Sequence, residues 1–230
     1  MAKEHRSRRS RGSLSQAEIV AAAIRILDAE GSEALTFARL GAELQASPTA
    51  VYRHFASRHD MICAISDELD AISLAGYEPT DDWRADLREL AHRAWQTANT
   101  HPAAAAMGMN LLTGGMSELR AVDCVLRALH VAGVHGREAV VQYQVYVNIV
   151  LGSSAAQGAL LSSPGLVNPQ GVWFRTQVYA PVDPAQYPYA DAVMSDLRQI
   201  DPSEVFSRTV EMFVTSIERM LEGRELSQSA

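Results

Sequence analysis

Two short helical segments separated by a three-residue turn restrict the fold of this chain more than any other feature. Thr36 can cap the first segment, residues 37–44, because a threonine hydroxyl accepts a hydrogen bond from an unpaired N–H at a helix start. Ser47 can cap the second segment, residues 48–55, in the same way. Pro48 then occupies the first helical position, where its missing N–H is not needed. This spacing predicts a helix-turn-helix.

The side chains of these two segments divide into a shared core and an outward face. Gly41 falls where the helices would cross, and its missing side chain lets the two backbones approach. The predicted core residues are Leu40, Leu44, Val51 and Phe55. The residues predicted to face outward are Thr49, Ala50, Tyr52, Arg53 and His54. So many hydrogen-bonding groups on one short segment favour a binding surface, although a helical corner with ordinary polar surface is the alternative.

Double-stranded DNA is the partner that these side chains predict. A helix fits the major groove, and its first N–H groups point toward phosphates. Arg53 can pair with guanine or with a phosphate, Thr49 can contact either a base edge or a phosphate, and the Ala50 methyl suits a thymine methyl. Tyr52 and His54 are better suited to backbone oxygens, which set register. The predicted DNA-binding residues are Thr36, Arg39, Ser47, Pro48, Thr49, Ala50, Tyr52, Arg53, His54 and Arg58.

The distribution of charge supports the same partner. Residues 1–58 carry nine basic and six acidic residues, whereas the remainder carries eleven basic and twenty-one acidic residues. Residues 1–13 are rich in arginine, have no apolar periodicity and are predicted to form a flexible basic arm. A basic head on an acidic body is typical of a nucleic-acid-binding module joined to a domain that does not bind nucleic acid.

The whole chain predicts an all-α fold, because apolar residues recur at helical spacing and no segment alternates as a strand does. Ser15 and Glu18 form a capping-box pattern that begins the first helix. Ser57 begins the fourth, with a predicted core of Met61, Ile62, Ile65, Leu69 and Ile72. The predicted helices are residues 15–29, 37–44, 48–55, the one begun by Ser57, 83–100, 117–130, 137–162, 190–197 and 202–222. Residues 102–116 are predicted to be loose, and 163–188 to form an extended loop.

Residues 14–72 resemble the DNA-binding domain of the TetR (tetracycline-repressor-like) family, most specifically in AEGSEALTFARLGAEL and SPTAVYRHFASR. The resemblance implies a homodimer that represses transcription from a two-fold operator. It also implies that the dimer releases the operator when a small hydrophobic effector binds the C-terminal domain. It places Thr36, Thr49, Tyr52, His54 and Arg58 at phosphates, and Ala50 and Arg53 nearest the bases. It departs at Gln45, where glycine is frequent, and at Arg58, where lysine is commoner. The implied domains are 14–75 for DNA binding, 76–225 for ligand binding and dimerisation, and a tail at 226–230.

The C-terminal half carries two further predictions. The predicted helices 137–162 and 202–222 from each of two copies would form a dimer interface; alternatively, both helices belong only to the core of a monomer. The predicted interface residues are Gln144, Asn148, Gly152, Ala156, Phe206, Val210, Phe213 and Ile217. The residues that could line a ligand pocket are Trp95, Met107, Met109, Tyr143, Tyr146, Trp173 and Phe174. For each of these, ordinary core packing is the alternative. The 163–188 loop could be a lid over the pocket or a passive surface loop.

Other classes of protein find little support in the sequence. No GxGxxG, P-loop, GxSxG, HExxH or paired-cysteine pattern occurs, so an enzyme, a cofactor and a metal site are not predicted. A polar, arginine-rich start and two distant cysteines favour a cytoplasmic protein without a membrane span. The remaining alternatives are a ligand-blind architectural or activating DNA-binding protein and a small all-α enzyme.

Overall fold

A computed structural model describes residues 14–108, 111–162 and 183–228. Within these ranges the regular structure is entirely helical, which confirms the all-α prediction. The helices are α1 (Gln16–Glu30), α2 (Phe37–Glu43), α3 (Pro48–Tyr52), α4 (Arg58–Ser73), α5 (Trp83–Thr100), α6 (Pro102–Gly108), α7 (Met116–Val131), α8 (Gly136–Leu161), α9 (Pro188–Gln199) and α10 (Pro202–Gln228), with a 3₁₀ turn over Ser32–Ala34. No helix in the described ranges is long and apolar enough to cross a bilayer.

The helix starts in the N-terminal part follow the predicted caps. The Ser15 hydroxyl accepts from the Glu18 N–H at 3.2 Å, and the Glu18 carboxylate accepts from the Ser15 N–H at 2.9 Å. The hydroxyls of Thr36, Ser47 and Ser57 each accept from the N–H three residues later. These bonds satisfy N–H groups that have no partner inside their own helix. Local sequence therefore determines where α1 to α4 begin.

Two hydrophobic cores organise the described chain. The first lies among α1 to α4 and includes Ile19, Leu40, Val51 and Met61, each fully buried. The second lies among α5, α7, α8 and α10. Its members include Leu87, Leu129, Tyr146, Phe213 and Ile217.

Helix α4 joins the two parts of the structure. One carboxylate oxygen of Asp67 accepts from the N–H groups of Ser117 (3.0 Å) and Glu118 (2.9 Å), at the start of α7. A second contact runs from Nδ1 of His101, after α5, to a carboxylate oxygen of Asp28 on α1 at 2.8 Å. Motion of α4 against α7 would therefore break hydrogen bonds to the first turn of α7.

The helices differ from the sequence-based expectations in extent or burial at several places. Residues 102–108, predicted to be loose, form α6, because Pro102 both ends α5 and suits the first position of a new helix. Helix α3 ends at Tyr52 rather than residue 55, and α10 continues to Gln228 rather than residue 222. Ile72, predicted to be core, is 38% exposed because it lies on the outer side of the last turn of α4.

Several expectations concern residues outside the described ranges. These are the basic arm at 1–13, residues 163–182 of the predicted loop, and the last two residues of the tail.

Candidate nucleic-acid interface and internal cavity

The deeply buried side chain of Val51 holds α3 against the other helices of the head, the N-terminal unit formed by α1 to α4. Val51 is fully buried, and its carbonyl accepts from the N–H groups of His54 (2.9 Å) and Phe55 (3.2 Å) just beyond the helix. Phe55 is also buried, whereas Leu44 is only partly buried. The predicted core of the helix-turn-helix therefore forms, and it leaves the opposite side of α3 open to solvent.

The open side of α3 carries most of the predicted contact residues. Ser47, Pro48, Thr49, Tyr52 and Arg53 are exposed, and Ala50 and His54 are partly exposed. The guanidinium of Arg53 makes no hydrogen bond or ion pair with any described residue. The ring of Tyr52 stacks on Phe37 at 3.9 Å between centroids, with only 9° between the planes. Stacking fixes the ring, so its hydroxyl is presented at a constant place on the surface.

The turn between α2 and α3 depends on two backbone positions. The Gly41 carbonyl accepts from the Ala46 N–H at 2.8 Å. A Cβ atom on Gly41 would lie 2.9 Å from the Ala46 carbonyl oxygen and 3.2 Å from the Pro48 nitrogen. Gln45 has a φ of 52°, the left-handed region that favours glycine. The turn therefore keeps a glycine-like geometry at Gln45 without the glycine that is common there.

The two remaining arginines among the predicted phosphate contacts differ in their surroundings. Nε and Nη2 of Arg39 lie 3.0 and 2.6 Å from Glu30, and Nη1 lies 3.0 Å from Glu43. These bonds raise the pKa of the guanidinium still further above its ordinary value. Arg39 is therefore ion-paired with two carboxylates, and its contact with a phosphate stays a prediction. Arg58, at the start of α4, is exposed, and among the described residues its guanidinium reaches only the Ser32 carbonyl, at 3.5 Å.

A cavity of about 500 Å³ lies behind the head, among α4, α5, α6, α7 and α8. Its walls are mainly apolar, with contributions from Leu69, Leu90, Val125 and Val147. Polar groups also reach it, among them the side chains of Asp70, Glu118, Tyr143 and Ser154. A mostly apolar cavity with a few polar groups is typical of a small-molecule site.

Asp70 is an acidic cavity residue whose ionisation is altered by its surroundings. Burial, together with the negative charges of Asp67 and Glu118, raises the pKa of its carboxyl to about 7. Burial also raises the pKa of the Tyr143 phenol. The cavity therefore contains a carboxyl group that changes its charge near neutral pH.

Comparison with known proteins assigns both parts of the chain. Residues 75–226 match the tetracyclin repressor-like C-terminal domain, and residues 19–65 match the bacterial regulatory proteins of the TetR family. The chain belongs to the TetR family.

Relatives and solved structures agree with this TetR-family assignment. The chain is 28% identical over 149 residues to an HTH-type transcriptional regulator of Saccharopolyspora erythraea; the match covers 65% of this chain and 63% of that protein. Its fold is similar to that of ActR from Streptomyces coelicolor in complex with actinorhodin, with a TM-score of 0.75, 19% identity and coverage of 90% and 98% of the two chains. BioQ bound to its double-stranded DNA operator is 27% identical, with a TM-score of 0.56 and coverage of 65% and 89%. The chain spans about three fifths of the length of the first relative.

The cavity of this TetR-family chain contains only part of the predicted pocket. Tyr143 and Tyr146 line it, and the Tyr146 hydroxyl donates to the Leu87 carbonyl at 2.6 Å. Trp95 does not line it, because its ring stacks on Phe206 at 4.3 Å in the second core. Met107 packs against the core of the head instead. The other predicted pocket residues, Met109, Trp173 and Phe174, lie outside the described ranges.

The predicted dimer residues of the TetR-family chain also separate into two groups. On α8, Gln144, Asn148 and Ala156 are exposed and Gly152 is partly exposed; the first two and Gly152 border the open side of the cavity. The prediction for α10 is wrong. Phe206, Val210, Phe213 and Ile217 are at most 5% exposed, because their face of α10 packs into the core of their own chain.

Sequence reasoning missed Asp70 and Ser154 as cavity residues. Asp70 follows Asp67 and Glu68 on a helix rich in charge, so its pattern is that of a solvated surface. Ser154 is a small polar residue in a largely apolar helix, which gave a weak signal of a polar group at a buried wall.

Proposed function

We propose that this protein is a transcriptional repressor that binds a two-fold operator as a homodimer and leaves it when a small molecule occupies the cavity. One observation carries the proposal. Helix α3 is held in place by the buried Val51, and it exposes Thr49, Tyr52 and Arg53 to solvent, with one face of the Tyr52 ring stacked on Phe37. The operator complex of BioQ and the actinorhodin complex of ActR support the two kinds of partner by similarity.

Helix α3 supplies the reading surface in this proposal. Its side chains enter the major groove, where the Arg53 guanidinium can form two parallel hydrogen bonds with a guanine. Arg58 lies at the start of the next helix and meets a phosphate, which positions the head without distinguishing bases. The two arginines should therefore differ in how their loss affects specificity.

Substitution of Arg53 and of Arg58 tests this division of roles. We expect Arg53→Ala to weaken binding to the operator by roughly 1–3 kcal/mol and to relax base preference at one position of each half-site. Arg58→Ala should weaken binding to all duplexes about equally and reduce the salt dependence. The operator is first selected from a random DNA pool, and affinities are then measured by fluorescence anisotropy at several salt concentrations.

Arg25→Ala is the matched control for both variants. Arg25 is exposed on α1, and its guanidinium lies 3.9 Å from the carboxylate of Glu43 on α2. The substitution Arg25→Ala removes one positive charge from the head, as the other two substitutions do, but it changes no residue of the proposed interface. If all three variants bind like the wild type, or all three lose affinity equally, α3 is not the reading surface.

The proposed dimer interface uses exposed faces of α8 and α10. Val141 and Val145 are 44% and 42% exposed on α8, and Met212 is 73% exposed on α10. These side chains lie on the helix faces opposite to the second core. A second copy that packs against them would form a four-helix arrangement and remove their apolar surface from water.

A charge placed in this interface should dissociate the dimer. We expect Val145→Glu or Met212→Glu to raise the dimer dissociation constant at least about 100-fold, since each dimer would bury two carboxylates in an apolar contact. Leu119→Glu is the control, because Leu119 is 59% exposed on α7. Sedimentation equilibrium measures the constants. A dimer that survives both substitutions but not Leu119→Glu would place the interface elsewhere.

Helix α4 is the proposed route from the cavity to the DNA. Five residues separate its start from the end of α3, and Asp67 and Asp70 lie in its C-terminal half, beside α7. A ligand that favours one position of α4 shifts the population between two arrangements of the heads. Two recognition helices must lie roughly 34–36 Å apart to enter successive major grooves, so a change in this separation releases the operator.

A further inference from the structure

The wall of the cavity has an unbalanced charge. Among the described residues that line it, Asp70 and Glu118 are acidic and none is basic. Asp67 lies close enough to add a third negative charge that acts on Asp70. Helices α5 and α6 contribute only uncharged residues, and α8 contributes the phenols of Tyr143 and Tyr146, both with a raised pKa, as its titratable groups.

Two of these three carboxylates are already held by hydrogen bonds. Glu118 accepts from the Thr113 hydroxyl at 2.6 Å and from the Gly114 N–H at 2.8 Å. Asp67 accepts from the two N–H groups at the start of α7. The carboxylate of Asp70 has no hydrogen bond or ion pair with any described residue, and it lies at the cavity wall. It is available to a ligand, whereas the other two hold local structure.

A second, independent feature of the cavity points to a ligand with polar groups. Ser154 on α8 is only 4% exposed, and its hydroxyl has no hydrogen-bond partner within the described ranges. The hydroxyl of Ser66, on the α4 wall, is also buried without a partner. Buried hydroxyls are normally paired, because loss of water without a replacement hydrogen bond is unfavourable. Both residues line the same cavity as Asp70.

We propose that the effector is an organic cation with an apolar ring system and a protonated amine. The ring system fills the cavity, and the amine pairs with the carboxylate of Asp70. This inference rests on the proposed function, because it names the chemical class of ligand for the cavity. The apolar body contacts Leu69, Leu90, Val125 and Val147. Other polar groups of the ligand bond to the hydroxyls of Ser154 and Ser66.

The charges of the wall select a cation over an anion or a neutral molecule. An anionic ligand would add a further negative charge beside Asp67, Asp70 and Glu118, with no basic side chain among the described wall residues to balance it. A neutral ligand would leave Asp70 either protonated or ionised without a partner. A cation pairs with the ionised carboxylate at a site with reduced access to water, where such pairs are stronger than on an exposed surface.

Three probes with one aromatic skeleton test the inference on the full-length protein. They are 2-(1-naphthyl)ethylamine, 2-(1-naphthyl)ethanol and 1-naphthylacetate, and their affinities are measured by isothermal titration calorimetry. We expect the amine to bind at least about tenfold more tightly than the alcohol, and the carboxylate to bind most weakly. Equal affinities, or no binding by any of the three, would overturn the inference.

Asp70→Asn and Asp123→Asn form a matched pair of variants. The first should bring the affinity for the amine down to that for the alcohol, whereas the second, on the exposed side of α7, should leave the preference unchanged. In the wild type, the amine-to-alcohol preference should increase severalfold from pH 6 to pH 8, because ionised Asp70 is the binding form. A preference that persists in Asp70→Asn, or that is the same at both pH values, would overturn the inference.

A separate anisotropy measurement with the selected operator distinguishes this inference from the proposed function. If the amine binds through Asp70 but no duplex is bound specifically, the repressor proposal fails and the ligand class stands. If the operator is bound but the three probes bind alike, the ligand class fails and the repressor proposal stands. Release of the operator by the amine, and not by the alcohol at the same concentration, supports both.

Discussion

Gly41→Ala is expected to lower the free energy of unfolding by roughly 2–3 kcal/mol and to weaken operator binding more than about tenfold. The new Cβ would lie 2.9 Å from the Ala46 carbonyl oxygen and 3.2 Å from the Pro48 nitrogen, both of which are backbone atoms. They cannot move away without displacing the turn that positions α3. Overpacking therefore outweighs the gain of roughly 1 kcal/mol that alanine normally brings to a helix.

Gly223→Ala provides the comparison. Gly223 lies inside α10, and apart from its chain neighbours and the nearby backbone of its own helix, a Cβ there would meet no heavy atom of a described residue within 4 Å. This variant should gain roughly 0.5–1 kcal/mol from the lower entropy of its unfolded chain. Urea denaturation followed by circular dichroism measures both variants, and anisotropy measures their DNA binding. Equal stability of the two would mean that the α2–α3 crossing has room for a side chain.

Asp70→Asn is expected to remove a pH dependence of stability from the ligand-free protein. The carboxyl ionises near 3.8 in an unfolded chain, whereas burial and the nearby negative charges of Asp67 and Glu118 raise its pKa to about 7 in the folded protein. Between these values the folded state binds more protons than the unfolded state, so the free energy of unfolding falls as pH rises. The fall ends once pH exceeds the folded pKa.

The size of this effect follows from the pKa difference. Each unit corresponds to about 1.4 kcal/mol, so between pH 5 and pH 8 the wild type should lose roughly 2–3 kcal/mol relative to Asp70→Asn. The same denaturation measurement at several pH values gives the difference. Asp123→Asn, which removes an exposed carboxylate, should retain the pH dependence of the wild type. A difference between Asp70→Asn and wild type that does not change with pH would show that Asp70 is ionised throughout.

The helix-turn-helix could be predicted in detail because its signals are local. Each cap, such as Thr36 with the Arg39 N–H, joins groups three residues apart, and Pro48 acts through its own ring. The ion pairs of Arg39 are harder to predict from the sequence. Its pairing with Glu43 is an ordinary contact four residues along α2, but its pairing with Glu30 requires α1 and α2 to meet.

The apolar helices of the C-terminal half were less predictable because their pattern does not say what covers each face. The stripe of Phe206, Val210, Phe213 and Ile217 is equally suited to a partner chain and to the protein's own core. The structure places it in the core, against α5 and α8. The sequence leaves Trp95 open between a pocket and the core for the same reason, since an aromatic side chain at helical spacing suits either role, and the structure stacks its ring on Phe206 in the core.

The sequence by itself determined the helical class, the caps, the turn around Gly41 and the side chains that α3 exposes. These features depend on neighbours within a few residues and on backbone preferences. Only the tertiary structure decided that the Asp70 carboxylate lies at a cavity wall with no hydrogen bond to a described residue, that Arg39 pairs with Glu30, and that the apolar stripe of α10 faces inward. Burial and charge pairing arise from contacts between helices distant in sequence, and local spacing does not encode which helices meet.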